Sequence, residues 1–304
     1  MKLSIVITTR NREDNLLKCA KSIQKSKDLN FEWEIIIVDD NSSDGTQTLC
    51  STDMNIKNCK FVHNSKQRMM ISSRNIGARL ATGKYVLFID DDNIIDPEMI
   101  ARLVYAADKH TEYGILGPSM YFLENCKKYL DFQKISFFTG KTAGKIDAKK
   151  REICDSDGVP NVFLIKKAIF DKCGYFDERL IQTYTEPDFA FNAKKSGFKC
   201  GIVTKALTYH DVLPNGQFTP RMLGGTFSQK SYCLIRNRTV IVSRYGRFYH
   251  KIIYFLFFSW LWPLLYTLLI LKYRRFDLMR SYWVGFIDGI IYLFTKKLRF
   301  SYLK

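Results

Sequence analysis

The sequence predicts an α/β fold: a mainly parallel sheet flanked by helices, with apolar helices appended at the C-terminus. Three observations carry this expectation. The first half alternates short apolar runs with segments whose apolar residues recur at helical spacing, the pattern of units that feed a parallel sheet. Two acidic clusters, Asp39-Asp40 and Asp90-Asp91-Asp92, stand where such runs end, and ligands of open parallel sheets bind outside the carboxyl ends of strands. Residues 252–271 are twenty consecutive uncharged residues dominated by Leu, Ile, Phe, Tyr and Trp, long enough to cross a hydrocarbon core.

Residues 3–8 and 34–38 read as the first two strands. Between them, residues 11–25 place Leu16, Leu17, Ala20 and Ile23 at helical spacing, which makes a crossover helix. A third unit opens at Ser72, passes Ile76 and Leu80, meets Gly83 as a helix C-cap, and feeds the run Tyr85-Val86-Leu87-Phe88-Ile89. Side chains of a strand alternate, so Asp90 and Asp92 are expected on one face. Two carboxylates there repel unless a positive group stands between them, and a hard divalent cation is the usual occupant. An acidic turn is the competing reading, because Asp96-Pro97 makes a good N-cap with Pro at the first helical position; it accounts for Asp96 but not for the triplet. Beyond about residue 110 the pattern loosens. Residues 161–165 look like a strand, 186–196 a helix stopped by Gly197, 199–203 and 206–210 short strands, and 212–225 a loop over the site. Residues 227–245 suit a helix that joins a sheet domain, residues 1–245, to a membrane-associated helical region, residues 246–304.

The formal net charge is +17, which ordinarily raises nucleic acid as a partner, but its placement matters more than its size. From Arg236 to the end there are 13 Lys or Arg against Asp277 and Asp288, a local balance of +11. That excess surrounds the apolar stretch, where it suits anionic headgroups better than DNA. The eight cysteines include no CxxC pair and there are only four histidines, so neither a disulfide framework nor a zinc site is expected. The strand-like run at residues 3–9 predicts no cleavable signal sequence, with the sheet domain cytoplasmic at the cell membrane.

Four blocks in order resemble the family 2 glycosyltransferases of the GT-A fold, a Rossmann-like nucleotide-diphospho-sugar transferase architecture. They are Ser4-Ile5-Val6-Ile7-Thr8-Thr9-Arg10-Asn11-Arg12, then Ile37-Val38-Asp39-Asp40-Asn41-Ser42-Ser43-Asp44-Gly45-Thr46, then Arg74-Asn75-Ile76-Gly77 leading to Gly83-Lys84-Tyr85 and the DxD, and last the helix from Glu186 to Gly197 with His210 downstream. Phe176-Asp177-Glu178 and Arg236-Asn237-Arg238 are similar to the family as well. The resemblance spans roughly residues 2–245 and implies a nucleotide-diphosphate sugar donor and transfer of its sugar to an acceptor hydroxyl. Carried over by position, it places Asp40 on the nucleobase, with Asp39 beside it and Thr8 and Arg10 lining the same pocket. Arg74 and Asn75 fall near the ribose and diphosphate, and Asp90 and Asp92 match the DxD pair that holds the ribose and a diphosphate-bound Mn²⁺ or Mg²⁺. His210 is either a third metal ligand or a diphosphate contact, or else a hydrogen-bonded structural histidine.

Glu186 falls eleven residues before Gly197, the spacing at which the family carries its catalytic Asp, and the chain reads Thr185-Glu186-Pro187-Asp188 where many relatives read Glu-Asp-x-Asp. The extra methylene of Glu shifts the proton-accepting carboxylate, so Asp188 stands as the other candidate base. Either acid alone also suits a helix N-terminus, satisfying free amides and the macrodipole. One carboxylate suffices for displacement with inversion, whereas a glycosidase needs two flanking the scissile bond. Residues 281–294, with Asp288 inside, are short for a span and suit an interfacial or re-entrant segment; a soluble helical pair is the alternative, and rhamnosyltransferase-like relatives resemble the sequence around Gly285-Phe286-Ile287-Asp288-Gly289. A membrane-held transferase meets a lipid-linked saccharide acceptor at the bilayer surface. The competing function is a nucleotide-sugar-binding protein without turnover.

Overall fold

The computed structural model describes residues 1–52, 58–211 and 228–301. They fall into two compact units: Met1–Lys134, Gly144–Phe176 and Phe189–Pro214 in the first, and Ile135–Ala143, Asp177–Asp188 and Asn215–Lys304 in the second.

The first unit opens with β1 (Leu3–Thr9), α1 (Glu13–Gln24), β2 (Trp33–Asp39), α2 (Thr46–Thr52), β3 (Cys59–His63), α3 (Met69–Leu80) and β4 (Tyr85–Asp90). Runs such as Ile35-Ile36-Ile37-Val38 are apolar at successive positions, so they bury both faces, as strands sandwiched between helices must. Alternation sorts them into two cores. Ile5, Ile7, Ile37 and Ile89 pack with Leu16 and Ile23 of α1, while Val6, Val38, Val86 and Phe88 pack with Ile71 and Ala78 of α3. β1 pairs in parallel with β2 and β4, and β2 with β3.

The chain continues through β5 (Asn93–Ile95), α4 (Met99–Lys109), β6 (Tyr113–Phe122), β7 (Lys128–Leu130), β8 (Phe132–Ile135), β9 (Thr142–Lys145), β10 (Ile153–Asp155), β11 (Val162–Lys166), α5 (Ala168–Cys173), α6 (Thr185–Lys195) and β12 (Lys199–His210). The main sheet runs β10-β12-β6-β11-β4-β1-β2-β3, with β5 on β12 and β7 on β6. β11 is antiparallel to both neighbours and β12 is parallel to β6, so β1, β2, β3, β4, β6 and β12 all end at the same edge. That edge receives Thr9, Asp39, His63, Asp90, Phe122 and His210.

Several boundaries depart from the sequence expectation. The triplet is not all strand: β4 stops at Asp90, and Asp91 and Asp92 lie in a turn, so alternation does not govern Asp92. α3 starts at Met69 and its C-cap is Ala81 rather than Gly83. Gly83 serves a close approach instead, since a Cβ there would stand 2.6 Å from the Ser4 amide nitrogen. The two short strands expected at 199–203 and 206–210 are one strand, irregular between Val203 and Leu207. β6 has no counterpart among the expected strands, because Gly114, Gly117 and Pro118 interrupt its apolar pattern. The loop expected at 212–225 lies outside the described residues.

The second unit contains α7 (Ser228–Tyr245), α8 (Phe248–Ile253), a π-helical turn over Tyr254–Phe258, α9 (Ser259–Lys272) and α10 (Met279–Thr295). From Phe248 to Lys272 the helix is continuous for 25 residues and is apolar and long enough to cross a membrane. The stretch 281–294 lies in α10, which packs one side on α7 and leaves Ile287 and Phe294 exposed. Gly285 lets it approach α7, where a Cβ would lie 2.5 Å from the Tyr232 carbonyl oxygen. Asp288 is buried and satisfied within the protein, accepting from the Tyr232 hydroxyl at 2.5 Å, the Ser301 amide at 3.0 Å and the Ser301 hydroxyl at 2.8 Å.

Candidate active site

The acids at the end of β4 and in the turn after it are each met by an arginine. Arg74, 1% exposed, donates to Asp90 Oδ1 at 2.6 Å. Asp91 is buried and accepts from the Thr9 hydroxyl at 2.8 Å and from Arg12 Nη1 at 2.9 Å. Burial pushes the Asp91 carboxyl up to about 6, against the pull of Arg12 and Thr9. The same Arg12 nitrogen stands 3.2 Å from Asp92 Oδ2. The positive group between these acids is therefore partly built in.

Asp92 is the acid that turns to the far side. Its Oδ1 lies 3.5 Å from His210 Nε2 at the end of β12, and the Asn161 amide nitrogen lies 3.2 Å from both atoms. His210 Nδ1 is held by the Tyr129 hydroxyl at 3.0 Å, which fixes the ring. Burial works to raise Asp92, but His210 and Arg12 hold it below the ordinary carboxylate range. Among the described residues no three His, Cys, Asp or Glu side chains form a closed metal cage. A neighbouring carboxylate and imidazole nevertheless fit a divalent ion that takes few protein ligands and completes its shell with water and phosphate oxygens.

Asp39 and Asp40 end β2, one strand beyond β1. Asp39 is fully buried, accepting from the Ser42 amide at 3.1 Å and the Ser42 hydroxyl, with His63 Nδ1 at 2.7 Å. Asp40 accepts from Asn64 Nδ2 at 3.0 Å and from the amides of Arg68 and Met69 at 2.7 and 2.8 Å, so it also caps the start of α3. Thr8 is half-buried and faces Asp90 in the β1–β4 register, and Arg10 is exposed. Asn75, 1% exposed, binds the main chain of Phe176 through both ends of its amide, at 2.9 and 3.1 Å. These two bonds secure the segment after α5. Thr9, Arg12, Asn161 and Tyr129 were missed by sequence reasoning. Thr9 and Arg12 lie within the first block, which was the available signal, whereas Asn161 and Tyr129 carry none, because their places depend on β11 and β7.

Glu186 and Asp188 lie in the first turn of α6, within the second unit. Glu186 is half-buried and accepts from the Thr185 hydroxyl at 2.8 Å. Asp188 is buried: its Oδ1 accepts from Arg244 Nη1 at 2.8 Å and from the Tyr245 hydroxyl at 2.9 Å. Burial raises its carboxyl although Arg244 opposes this. Arg244 also bonds Asp177 at 2.7 Å, so Asp188 belongs to an ion-pair cluster that ties α7 to α6.

The Glycosyl transferase family 2 sequence profile matches residues 4–174, more than half of the chain. The chain belongs to glycosyltransferase family 2. It is 24% identical over 241 residues to the chondroitin synthase of Escherichia coli, covering 70% of this chain and 35% of that protein. It is 37% identical over 114 residues to the GalNAc(5)-diNAcBac-PP-undecaprenol beta-1,3-glucosyltransferase of Campylobacter jejuni, covering 36% of this chain and 35% of the relative. The chain thus spans little more than a third of the length of these two curated relatives. In architecture it is similar to GalNAc-T7 solved with UDP, GalNAc and Mn²⁺, at a TM-score of 0.63 and 17% identity over 84% of this chain and 54% of that one. It is likewise similar to Staphylococcus aureus TarS 1–349 in complex with UDP, at 0.53 and 19% over 96% and 91%. The GT-A fold expected from the sequence is the observed one.

Proposed function

We propose that this family 2 glycosyltransferase moves a sugar from a nucleotide-diphosphate donor to an acceptor hydroxyl, with inversion and with a divalent metal, Mn²⁺ or Mg²⁺. One observation carries the reading: Asp92 and His210 stand 3.5 Å apart where β12 and the turn after β4 meet the carboxyl edge of the sheet. In this role Asp92 and His210 hold the ion, with Asp90 beside them, and the ion supplies Lewis acidity to the departing diphosphate. Arg12 and Arg74 orient these acids. Asp40 receives the nucleobase with Asp39 beside it, Thr8 and Arg10 line the same pocket, and Arg74 and Asn75 shape the approach to ribose and diphosphate. Glu186 is the proposed proton acceptor for the attacking hydroxyl, and its single carboxylate fits inversion. Asp188, the other candidate, is already engaged by Arg244 and Tyr245, which favours a structural role.

As part of the same proposal, residues 1–245 form the catalytic domain, on the cytoplasmic side, and residues 246–304 a membrane-associated region. The exposed apolar helix supports membrane contact, and the undecaprenol-linked substrate named for the Campylobacter relative supports a lipid-linked saccharide acceptor. Screening UDP-, GDP- and dTDP-sugars for Mn²⁺-dependent thermal stabilisation tests the donor. Transfer that needs metal and disappears in Asp92→Ala and Glu186→Gln is the expected result; stabilisation with no turnover on any acceptor leaves a binding protein. Lipid-linked saccharide extracted from a deletion strain should be shorter by one sugar, and an unchanged pool removes the acceptor assignment.

A further inference from the structure

We propose that the helix from Phe248 to Lys272 lies in the plane of an anionic bilayer surface, inserting its outward face without crossing. This rests on the membrane contact proposed above and states how that contact is made. Leu256, Phe257, Trp260, Leu264, Leu268 and Leu271 are exposed and recur every three or four residues, so they share one face. The opposite face holds the helix to the protein. The Tyr254 hydroxyl bonds Thr239 at 2.9 Å, Trp262 Nε1 donates to the Thr139 carbonyl at 2.6 Å, Arg238 lies over the Trp262 ring at 4.4 Å, and Ile270 is buried against Ile235 and Tyr282. These contacts run from residue 254 to 270, about 24 Å of helix at 1.5 Å per residue.

α7, on which the helix rests, carries Arg236, Asn237, Arg238 and Arg244. A spanning helix would carry those guanidinium groups into hydrocarbon, whereas an in-plane helix leaves them on the water side. Charge fits the same orientation. Arg247 precedes the helix, Lys272, Arg274 and Arg280 follow it, and all four are exposed. Of the two acids in this region, Asp288 is buried and Asp277 is paired with Arg275 at 2.8 Å. Basic rims attract anionic headgroups and repel the like rim of a second copy.

The full chain, tagged at both ends, is added to sealed preformed vesicles containing anionic phospholipid, floated, and treated with protease from outside. Flotation with both tags digested is expected, and the double variant Leu264→Glu, Leu268→Glu should stay in the soluble fraction with a melting temperature near wild type. Flotation with the C-terminal tag protected shows a span and overturns the in-plane helix while membrane contact stands. Failure to float, with a concentration-dependent dimer in sedimentation, removes membrane contact itself and assigns the face to a second copy.

A separate observation concerns the turn before α6. Ile181, Thr183 and Tyr184 have φ of 66°, 58° and 59°, a left-handed conformation that branched and bulky side chains disfavour. Asn237 is fully buried, and its Nδ2 lies 2.8, 2.7 and 3.0 Å from the carbonyl oxygens of Leu180, Gln182 and Thr183. Arg236 Nε donates to Asn237 Oδ1 at 2.9 Å, which orients the amide. We infer that Asn237 is a positioning residue that pins the strained turn two residues ahead of Glu186, an inference that rests on Glu186 as the proton acceptor. Asn237→Ala, with the isosteric Asn237→Asp as a second variant, should lower kcat roughly 10- to 100-fold, since a misplacement of about 1 Å can cost that much. Donor-induced thermal stabilisation should persist, and faster amide hydrogen exchange should be confined to residues 178–188. Unchanged kcat and exchange overturn the inference, as does parallel loss of kcat and donor stabilisation. Full transfer by Glu186→Gln sinks the base assignment instead, and the exchange result still judges the turn.

Discussion

Replacing Asp188 by Ala separates the two acids at the start of α6. The change deletes the acceptor of Arg244 at 2.8 Å and of the Tyr245 hydroxyl at 2.9 Å, within a side chain that is 6% exposed. Removing one partner of a buried ion pair ordinarily costs about 3–5 kcal/mol, because the other charge is left bare. Here Arg244 keeps Asp177 at 2.7 Å and the Tyr292 hydroxyl at 3.0 Å, so its charge retains partners. What remains is a charge-assisted hydrogen bond and the Tyr245 contact, about 2–3 kcal/mol. At about 2–4 °C per kcal/mol for chains of 150–250 residues, the melting temperature should fall by roughly 5–10 °C. Glu186→Gln, isosteric and half-buried, should melt within about 2 °C of wild type, yet lose roughly 100- to 10,000-fold in transfer rate. Differential scanning fluorimetry and single-turnover sugar transfer on both variants give the comparison. Should Asp188→Ala melt with the wild type while Glu186→Gln transfers normally, the assignment of roles is inverted and the reasoning fails.

Glu34 offers a pH test. Its carboxylate accepts from the Ser4 and Thr82 hydroxyls at 2.7 and 2.6 Å, from the Thr82 amide at 2.9 Å and from Lys60 at 2.8 Å. Burial opposes ionisation, but these donors, Lys60 foremost, depress the carboxyl to about 2. A carboxyl depressed in the fold stabilises it above the unfolded value near 4.5 and loses that contribution as pH falls towards 2. Lys60 is 53% exposed and screened, so the stake is discounted to about 1–2 kcal/mol. In urea melts between pH 6 and pH 2.5, values set near the ends of that window, Glu34→Gln should lose less stability on acidification than wild type by about that amount; equal losses contradict it. His210→Ala should weaken Mn²⁺ binding measured by calorimetry with nucleoside diphosphate present by roughly 10- to 100-fold while the fold persists, and an unchanged affinity places the imidazole outside the metal shell. Gly285→Ala should cost about 1–3 kcal/mol by driving a methyl onto the Tyr232 carbonyl, and a neutral urea midpoint counts against the tight α7–α10 crossing.

The sequence by itself determined the parallel core and the family. Apolar runs at β1, β2 and β4 and helical periodicity at α1 are local signals, and the acids that end β2 and β4 mark the ligand edge whatever the rest of the chain does. Tertiary structure decided how those acids are balanced. Arg12 reaches Asp91 and Asp92 from about eighty positions away, Asn161 arrives through an antiparallel strand, and no local pattern encodes either encounter. It also gave Asp188 to Arg244 and left Glu186 outside that pair, a distinction two acids in one turn cannot express in sequence. The tail divides in the same manner. Composition marks residues 252–271 and 281–294 alike as apolar, but only packing shows that α10 turns Gly285 and Asp288 into α7 while α9 turns its leucines outward. Hydropathy depends on which residues are present; burial depends on which faces find partners, and partners are assigned in three dimensions.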